Sequence, residues 1–259
     1  AVGEGWCFMA DAISYLAVIW SLYAMVVTPR VRPARDTRVL EELLTGFRYV
    51  SRFVPVRSAL ILLSLVSVMG MPYSVLMPAI ATDTLHGGAS TLGFLMTAAG
   101  VGAFIGALYL ASRRTVLGLG RVIAIAAAAL GVGLVLFSFS RVLWLSLLLL
   151  PIVGAGMMIT MASTNTVLQT IVEEHLRGRV MSFYAVAFLG TAPIGSLLAG
   201  AAAERIGPER TIMLGGLCCL VAAGWFALRL PLLRELVRPI YVERGIIAAA
   251  EIDADMKSL

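Results

Sequence analysis

Residues 142–171 read VLWLSLLLLPIVGAGMMITMASTNTVLQTI, which is 30 consecutive positions without an Asp, Glu, Lys or Arg side chain. A helix needs about 20 apolar residues to cross the hydrocarbon core of a bilayer, so this stretch is long enough to span a membrane. Six other stretches, of 18 to 24 residues, also lack charge or nearly so. We therefore predict an all-α polytopic membrane protein with seven transmembrane helices. The predicted spans are residues 6–27, 58–81, 91–112, 122–140, 142–171, 180–203 and 211–228.

The composition of the whole chain supports this class. Hydrophobic residues make up 60% of the 259 positions and charged residues 14%. A soluble globular domain usually has 45–50% apolar and about 25% charged residues. The composition therefore excludes a soluble enzyme and implies the lipid bilayer as a partner. The net charge of +5 comes from basic residues beside the predicted spans, so it does not indicate nucleic-acid binding.

The basic residues lie almost entirely on one predicted side of the membrane. If the spans alternate in direction, 17 of the 20 Lys and Arg residues fall in the segments 28–57, 113–121, 172–179 and 229–259. The positive-inside rule places those segments in the cytoplasm. This predicts a multi-pass protein of the cytoplasmic (inner) membrane with an external N-terminus and a cytoplasmic C-terminus. Because no Met begins the chain and only five residues precede the first span, we expect a piece of a longer protein.

The longest connection between spans has a helical pattern of its own. Leu40, Leu43, Leu44 and Phe47 recur at helical spacing, which is typical of an amphipathic helix lying along the membrane surface. The linker separates one span from six. The predicted organisation is a last helix of a truncated N-terminal bundle at 1–27, the linker at 28–57, a six-helix C-terminal bundle at 58–230 and a cytoplasmic tail at 231–259.

One plus six spans with a basic central linker resembles part of the major facilitator superfamily, whose transporters have two six-helix halves. The motif RGRVMS at residues 177–182, followed by Gly190, Pro193, Gly195 and Gly200, resembles the junction of the tenth and eleventh helices in the enterobactin-exporter-like branch, the transmembrane secretion effectors. Residues 3–16 resemble the sixth helix of that branch, and residues 41–50 the entry to its seventh. The resemblance implies a 12-helix fold of which the first five helices are missing here.

Two basic motifs are candidates for a cytoplasmic gate. By resemblance, Arg177, Gly178 and Arg179 belong to the junction motif. Arg113 and Arg114 lie in a turn that only loosely resembles the superfamily signature Gly-x-Leu-x-Asp-Arg, because the Asp is absent. That departure puts the charge-relay role of this turn in doubt.

Charged side chains inside a membrane are costly and often functional. Asp11 is the clear intramembrane acid, although hydrogen bonding to a neighbouring helix explains it better than a role in transport. The predicted spans from residue 58 onward contain no carboxylate and no His. We predict no cofactor, a proton gradient as the energy source, and a titrating acid in the missing half.

Uncharged polar side chains lie within three of the predicted spans. By resemblance, the spans at 58–81 and 142–171 are the seventh and tenth helices, which border a central cavity. The span at 91–112 is by resemblance the eighth helix. An apolar pocket with a few polar groups suits an amphipathic small molecule. Hydrogen bonding between helices is the alternative role for each side chain. The substrate-cavity candidates are Tyr73, Ser74, Thr97, Thr160, Thr164 and Asn165.

Taken together, these features favour a secondary active transporter, an efflux pump that exports drug-like or siderophore-like compounds by alternating access. The alternative is a non-transporting membrane scaffold or assembly subunit. A retinal protein is excluded because the single lysine, Lys257, lies in the tail. An intramembrane enzyme is disfavoured because the predicted spans hold no paired acids and no His-Glu-x-x-His motif.

Overall fold

A computed structural model describes residues 4–25 and 39–246 of the chain. The chain divides into two compact units at residues 38 and 39, and each is described by itself. The first unit contains one described helix, α1, at Glu4–Ala24. The second contains nine described α-helices. They are α2 Val39–Arg52, α3 Val54–Leu65, α4 Tyr73–Ala79, α5 Ala89–Ser112, α6 Leu119–Phe139, α7 Leu143–Ile171, α8 Glu174–Ala185, α9 Ala192–Ile206 and α10 Pro208–Glu243.

Six helical segments of the second unit are long and apolar enough to cross a membrane. α3 and α4 form one continuous span, Val54–Thr84, and α8 and α9 form another, Glu174–Ile206. The other four are α5, α6, α7 and α10. The predicted class, an all-α polytopic membrane protein, is confirmed. Besides these six, the described residues contain a shorter apolar helical stretch, Asp11–Ala24 of α1, at the place of the first predicted span.

Two spans extend beyond the apolar blocks seen in the sequence. The predicted span 180–203 begins earlier, at Glu174, so the RGRVMS motif lies within α8 and not in a loop. The final helix continues past Leu230, where the tail was predicted to begin, and ends at Glu243. Both extensions carry arginines. Hydropathy misses them because long basic side chains can lie along an apolar surface while their charged ends reach water.

Three π-helical turns lie close to prolines. Val66–Gly70 precedes Pro72, Val186–Gly190 precedes Pro193, and Ile80–Thr84 follows Pro78. Proline has no N–H and displaces the preceding turn, so helices that contain it often bend or widen locally. The first two turns join α3 to α4 and α8 to α9, so each of these two spans is a helix with an internal irregularity. The third turn ends the α3–α4 span.

Close contacts between backbones hold the core of the bundle together. Gly131 of α6 and Gly216 of α10 face each other, and a Cβ at either would lie 2.8 Å from the carbonyl oxygen of the other. Gly154 of α7 lies against the Ala99 carbonyl of α5, and Gly195 lies against the backbone of Val68. Small residues permit such close approach, which is how helices associate in lipid. α6 and α7 therefore form the centre of the six-span unit, with α5 and α10 on their flanks.

Polar contacts join the helix ends on both sides of the bundle. At one end, Glu209 Oε1 accepts hydrogen bonds from Thr84 Oγ1 at 2.9 Å and from Arg141 Nη1 at 2.6 Å. At the other end, Arg244 Nη2 donates to the Val172 carbonyl at 2.8 Å. The second end is called the basic end below, because the arginines of α2, of the α5–α6 turn and of the last part of α10 lie there.

Candidate functional site

The polar side chains of α7 point in two directions. Thr160, Ser163 and Thr164 are fully buried in the bundle. Asn165 is half-buried, and its Oδ1 accepts a hydrogen bond from Nε2 of the exposed Gln169 at 2.7 Å. One turn of α7 therefore places polar groups both in the bundle interior and on its outer surface.

Three buried hydroxyls in the second half of α7 have no hydrogen-bond partner. Thr166 and Thr170 on the same helix donate to the carbonyls four residues earlier, at 2.9 and 2.8 Å. Among the residues that the structure describes, the hydroxyls of Thr160, Ser163, Thr164 and Ser58 are buried without a hydrogen bond. Ser58 lies on α3, which packs against α7. An unpaired buried polar group costs about 1–3 kcal/mol, so this part of the bundle retains unused hydrogen-bonding capacity.

The other predicted cavity residues have different surroundings. Tyr73 is half-buried and packs against the main hydrophobic core. The Ser74 hydroxyl donates to the Met71 carbonyl at 3.0 Å. Thr97 is exposed on α5 and donates to the Gly93 carbonyl at 2.7 Å. Ser74 and Thr97 thus donate their hydroxyl hydrogens to carbonyls of their own spans and not to another helix.

Two cavities of the second unit, of about 620 and 760 Å³, lie at its basic end. None of the six cavity candidates lines either of them. The first is bounded by α3, α6, α7 and α10, and the second by α2, the α7–α8 connection and the end of α10. Sequence reasoning missed both, because no local pattern shows which helix ends meet.

The two gate motifs lie in structured surroundings. Arg113 Nη1 donates to the Tyr109 hydroxyl at 3.1 Å, and its Nη2 donates to the Leu117 carbonyl at 2.8 Å, so this arginine holds the α5–α6 turn in place. Arg114 and Gly178 are exposed. Arg177 is half-buried at the start of α8.

The helix that carries the RGRVMS motif packs against α2. A Cβ at Gly46 of α2 would lie 3.3 Å from the Arg179 Cβ and 3.0 Å from the Phe183 ring. The rings of Phe47 and Phe183 are 6.4 Å apart between centroids. The amphipathic helix before the first span of this unit is therefore connected to the junction motif through α8.

Tyr49 of α2 lines the second cavity beside charged groups. Burial and, to a smaller extent, the Glu173 carboxylate raise the pKa of the Tyr49 phenol above its ordinary value, while Arg244 acts in the opposite direction. The phenol is therefore neutral at physiological pH. His175 Nδ1 is 3.3 Å from Glu173 Oε2 at the rim of the same cavity.

Asp11 lies in α1, in the first unit. It is exposed there, and its backbone carbonyl accepts a hydrogen bond from the Ser14 hydroxyl at 2.7 Å.

Two spans of the second unit have few buried residues. Across the 18 most apolar residues of α8–α9 only 11% are buried, and in α5 only 28%, whereas the figure for α6 is 56%. On α5, Gly93, Thr97 and Gly100 lie one turn apart and are exposed, and a Cβ at either glycine would meet no atom within 4 Å. A surface of small side chains with a polar group between them is suited to contact with another helix.

Six apolar helices packed in this way define a polytopic helical membrane protein. The sequence matches the transmembrane secretion effector family over residues 1–239. The chain belongs to this family of major facilitator transporters, which confirms the resemblance seen in the sequence.

Several relatives with assigned functions are multidrug efflux pumps. The multidrug efflux pump Tap of Mycolicibacterium fortuitum is 33% identical over 207 residues, which are 76% of this chain and 48% of the pump. The pumps of the same name from Mycobacterium tuberculosis (strain ATCC 25618 / H37Rv) and Mycobacterium bovis (strain ATCC BAA-935 / AF2122/97) are 29% identical over 204 residues, again 48% of their length. The chain thus spans about half the length of the curated relatives that it matches.

Proposed function

We propose that this chain is the C-terminal part of an exporter that moves amphipathic small molecules across the cytoplasmic membrane by alternating access. The main support for this proposal is the exposed surface of α5 and α8–α9. Its small and polar side chains are suited to contact with another helical bundle. In this proposal the missing partner is an N-terminal bundle of which α1 is the last helix. The likeness to multidrug efflux pumps over half their length supports the same arrangement.

The substrate path would run between the two bundles near the membrane midplane, as in other transporters with two repeated halves. Tyr73 and Asn165 are the polar groups that we propose for the cavity wall, with Ser74 and Thr97 at its edge. The unpaired hydroxyls of Thr160 and Thr164 are buried inside the bundle, so they would join the wall only when the spans move. The π-helical turns of α3–α4 and α8–α9 would allow these spans to bend as the bundles rock. Irregular helix turns are frequent at such functional sites.

The energy source in this proposal is a proton gradient. The spans of the second unit carry acidic side chains only in their end regions, at Asp83, Glu174, Glu204, Glu209 and Glu243, and at Glu235 in the basic last part of α10. The titrating group is therefore assigned to the N-terminal bundle. The excess of basic residues at one end of the unit supports a cytoplasmic C-terminus.

The test is efflux by the complete gene product. Cells that express it should accumulate less of a fluorescent amphipathic cation than cells with an empty vector, and a protonophore should abolish the difference. Tyr73→Phe and Asn165→Ala should each change the export of at least one of several substrates severalfold. Thr170→Ala is the matched control on α7, because its hydroxyl bonds to its own helix. Unchanged export in both variants would show that Tyr73 and Asn165 do not line the cavity. No export by the wild-type protein would favour the scaffold role.

A further inference from the structure

The 620 Å³ cavity at the basic end is separate from the proposed substrate path. One wall is a continuous stripe along α10, formed by Phe226, Leu230, Leu233, Val237 and Tyr241. From residue 226 to residue 241 this stripe is about 22 Å long at 1.5 Å per residue. The cavity is therefore elongated along a span and mainly apolar.

The remaining walls come from three other spans. Ala59 of α3, Ile123 of α6 and Val167 of α7 complete the apolar lining. All four contributing helices belong to segments long enough to cross a membrane. The apolar part of the cavity thus lies within the bundle, next to the level of the lipid acyl chains, where a soluble ion has no favourable contact.

Basic groups line the cavity together with the apolar wall. Arg121, Arg234 and Arg238 contribute to it, and, among the residues the structure describes, no acidic side chain does. α6 begins at this point, after Gly118 in the left-handed conformation at φ 75°, so the positive end of its dipole adds to the arginines. An anionic phosphate group suits both features, because arginine and helix N-termini are its usual ligands.

We propose that this cavity is a binding site for an anionic phospholipid of the surrounding bilayer. One acyl chain lies along the α10 stripe, and the phosphate group contacts Arg121, Arg234 and the start of α6. Basic pockets between transmembrane helices at one membrane face have the charge and depth for such headgroups. The site belongs to this chain's own bundle, so it stands whether or not the whole protein exports a compound.

The experiment counts lipids bound to the 259-residue chain purified in a mild detergent. Native mass spectrometry is recorded after titration with phosphatidylglycerol, with phosphatidylcholine of the same chain length, or with inorganic phosphate. We expect one phosphatidylglycerol molecule to bind to the chain more tightly than any further phosphatidylglycerol molecules. It should also bind more tightly than phosphatidylcholine. Arg121→Gln with Arg234→Gln should weaken this binding about 25-fold, or about fivefold for each arginine.

Two further variants separate the headgroup from the acyl chain. Gly120→Leu keeps every arginine but directs a side chain at Leu230, whose Cδ2 lies 3.0 Å from the position of a Cβ there, so it should weaken binding by filling the apolar part of the cavity. Arg205→Gln with Arg210→Gln changes two exposed arginines at the opposite end and should leave binding unchanged. Circular dichroism checks that every variant retains its helical content.

Four results would overturn the proposal. Equal binding of phosphatidylcholine removes the role of charge, and displacement of the lipid by inorganic phosphate shows a site for a free anion. An equal loss in the Arg205 and Arg210 variant shows a general charge effect. If lipid binds only after residues 247–259 are deleted, the acidic C-terminal segment of the chain occupies the cavity in place of a lipid.

Discussion

Gly100 and Gly102 of α5 are two residues apart and have opposite surroundings. A Cβ at Gly100 would meet no atom within 4 Å, whereas one at Gly102 would overlap the backbone of Pro151 on α7. The sequence shows that glycines are dense in this span, but it does not distinguish these two positions. The difference depends on which face of α5 meets α7, and that is decided by tertiary packing.

Substitution at these two glycines should therefore have unequal effects. We expect Gly102→Ala to lower the free energy of unfolding by about 1–3 kcal/mol, because the helices must move apart to admit a methyl group. Gly100→Ala should change it by less than about 1 kcal/mol. Unfolding of the purified chain in increasing dodecyl sulfate, followed by circular dichroism, measures both. Equal losses would show that α5 and α7 are not in this close contact.

The unpaired hydroxyls of α7 should contribute little to stability. Thr164→Val exchanges a buried hydroxyl without a partner for a methyl group of the same shape, so the free energy of unfolding should stay constant or rise by up to about 1 kcal/mol. Thr84→Val should lower it by about 1 kcal/mol, because the Thr84 hydroxyl donates to Glu209. The same unfolding assay compares the two variants. A loss at Thr164 equal to that at Thr84 would mean that the Thr164 hydroxyl has a partner.

At the scale of elements, hydropathy located all six spans of the second unit but not their ends. The predicted span 58–81 is longer in the structure, Val54–Thr84, and the last helix reaches Glu243. Charged residues in the end turns of a helix break the apolar pattern without breaking the helix. The π-helical turns were likewise not predictable, because the prolines indicate only that some irregularity occurs near them.

The two π-helical turns near Pro72 and Pro193 are joined by one side chain. The Ser67 hydroxyl, in the first turn, donates to the Phe188 carbonyl, in the second, at 2.5 Å. We expect Ser67→Ala to lower the free energy of unfolding by about 0.6 kcal/mol or more, the average value for a hydrogen bond between membrane helices. Ser196→Ala is the control, because that hydroxyl bonds to Ala192 of its own helix. No difference between the two variants in the unfolding assay would contradict a joining role for Ser67.

For the whole molecule, the sequence predicts that this chain is part of a longer transporter. It does not show which surface of this part would contact the other helices. The structure adds that α5 and α8–α9 are the least covered spans of the second unit. The candidate cavity residues Tyr73 and Asn165 are on different spans of this unit, and in the proposed exporter a second bundle would complete the site between them. Thr164 is buried inside the unit.

Spin labels can distinguish a surface covered by protein from one covered by lipid. A label at Thr97, in the complete protein in liposomes, should collide less often with oxygen than a label at Ile125, which is 61% exposed on α6. In the 259-residue chain alone, the two labels should become similarly accessible, because the covering bundle is absent. Equal accessibility in the complete protein would place the α5 surface in lipid.

If this chain is the C-terminal part of a two-bundle exporter, as we propose, the native protein is much heavier than the chain, and this claim can be tested by weighing it. The protein can be isolated from its own cells with an antibody against residues 247–259, then weighed intact and mapped by its peptides. We predict a mass well above the 27.5 kDa of this chain, with peptides from about five further apolar spans before Ala1. A native protein of 27.5 kDa that begins at Ala1 would contradict the claim.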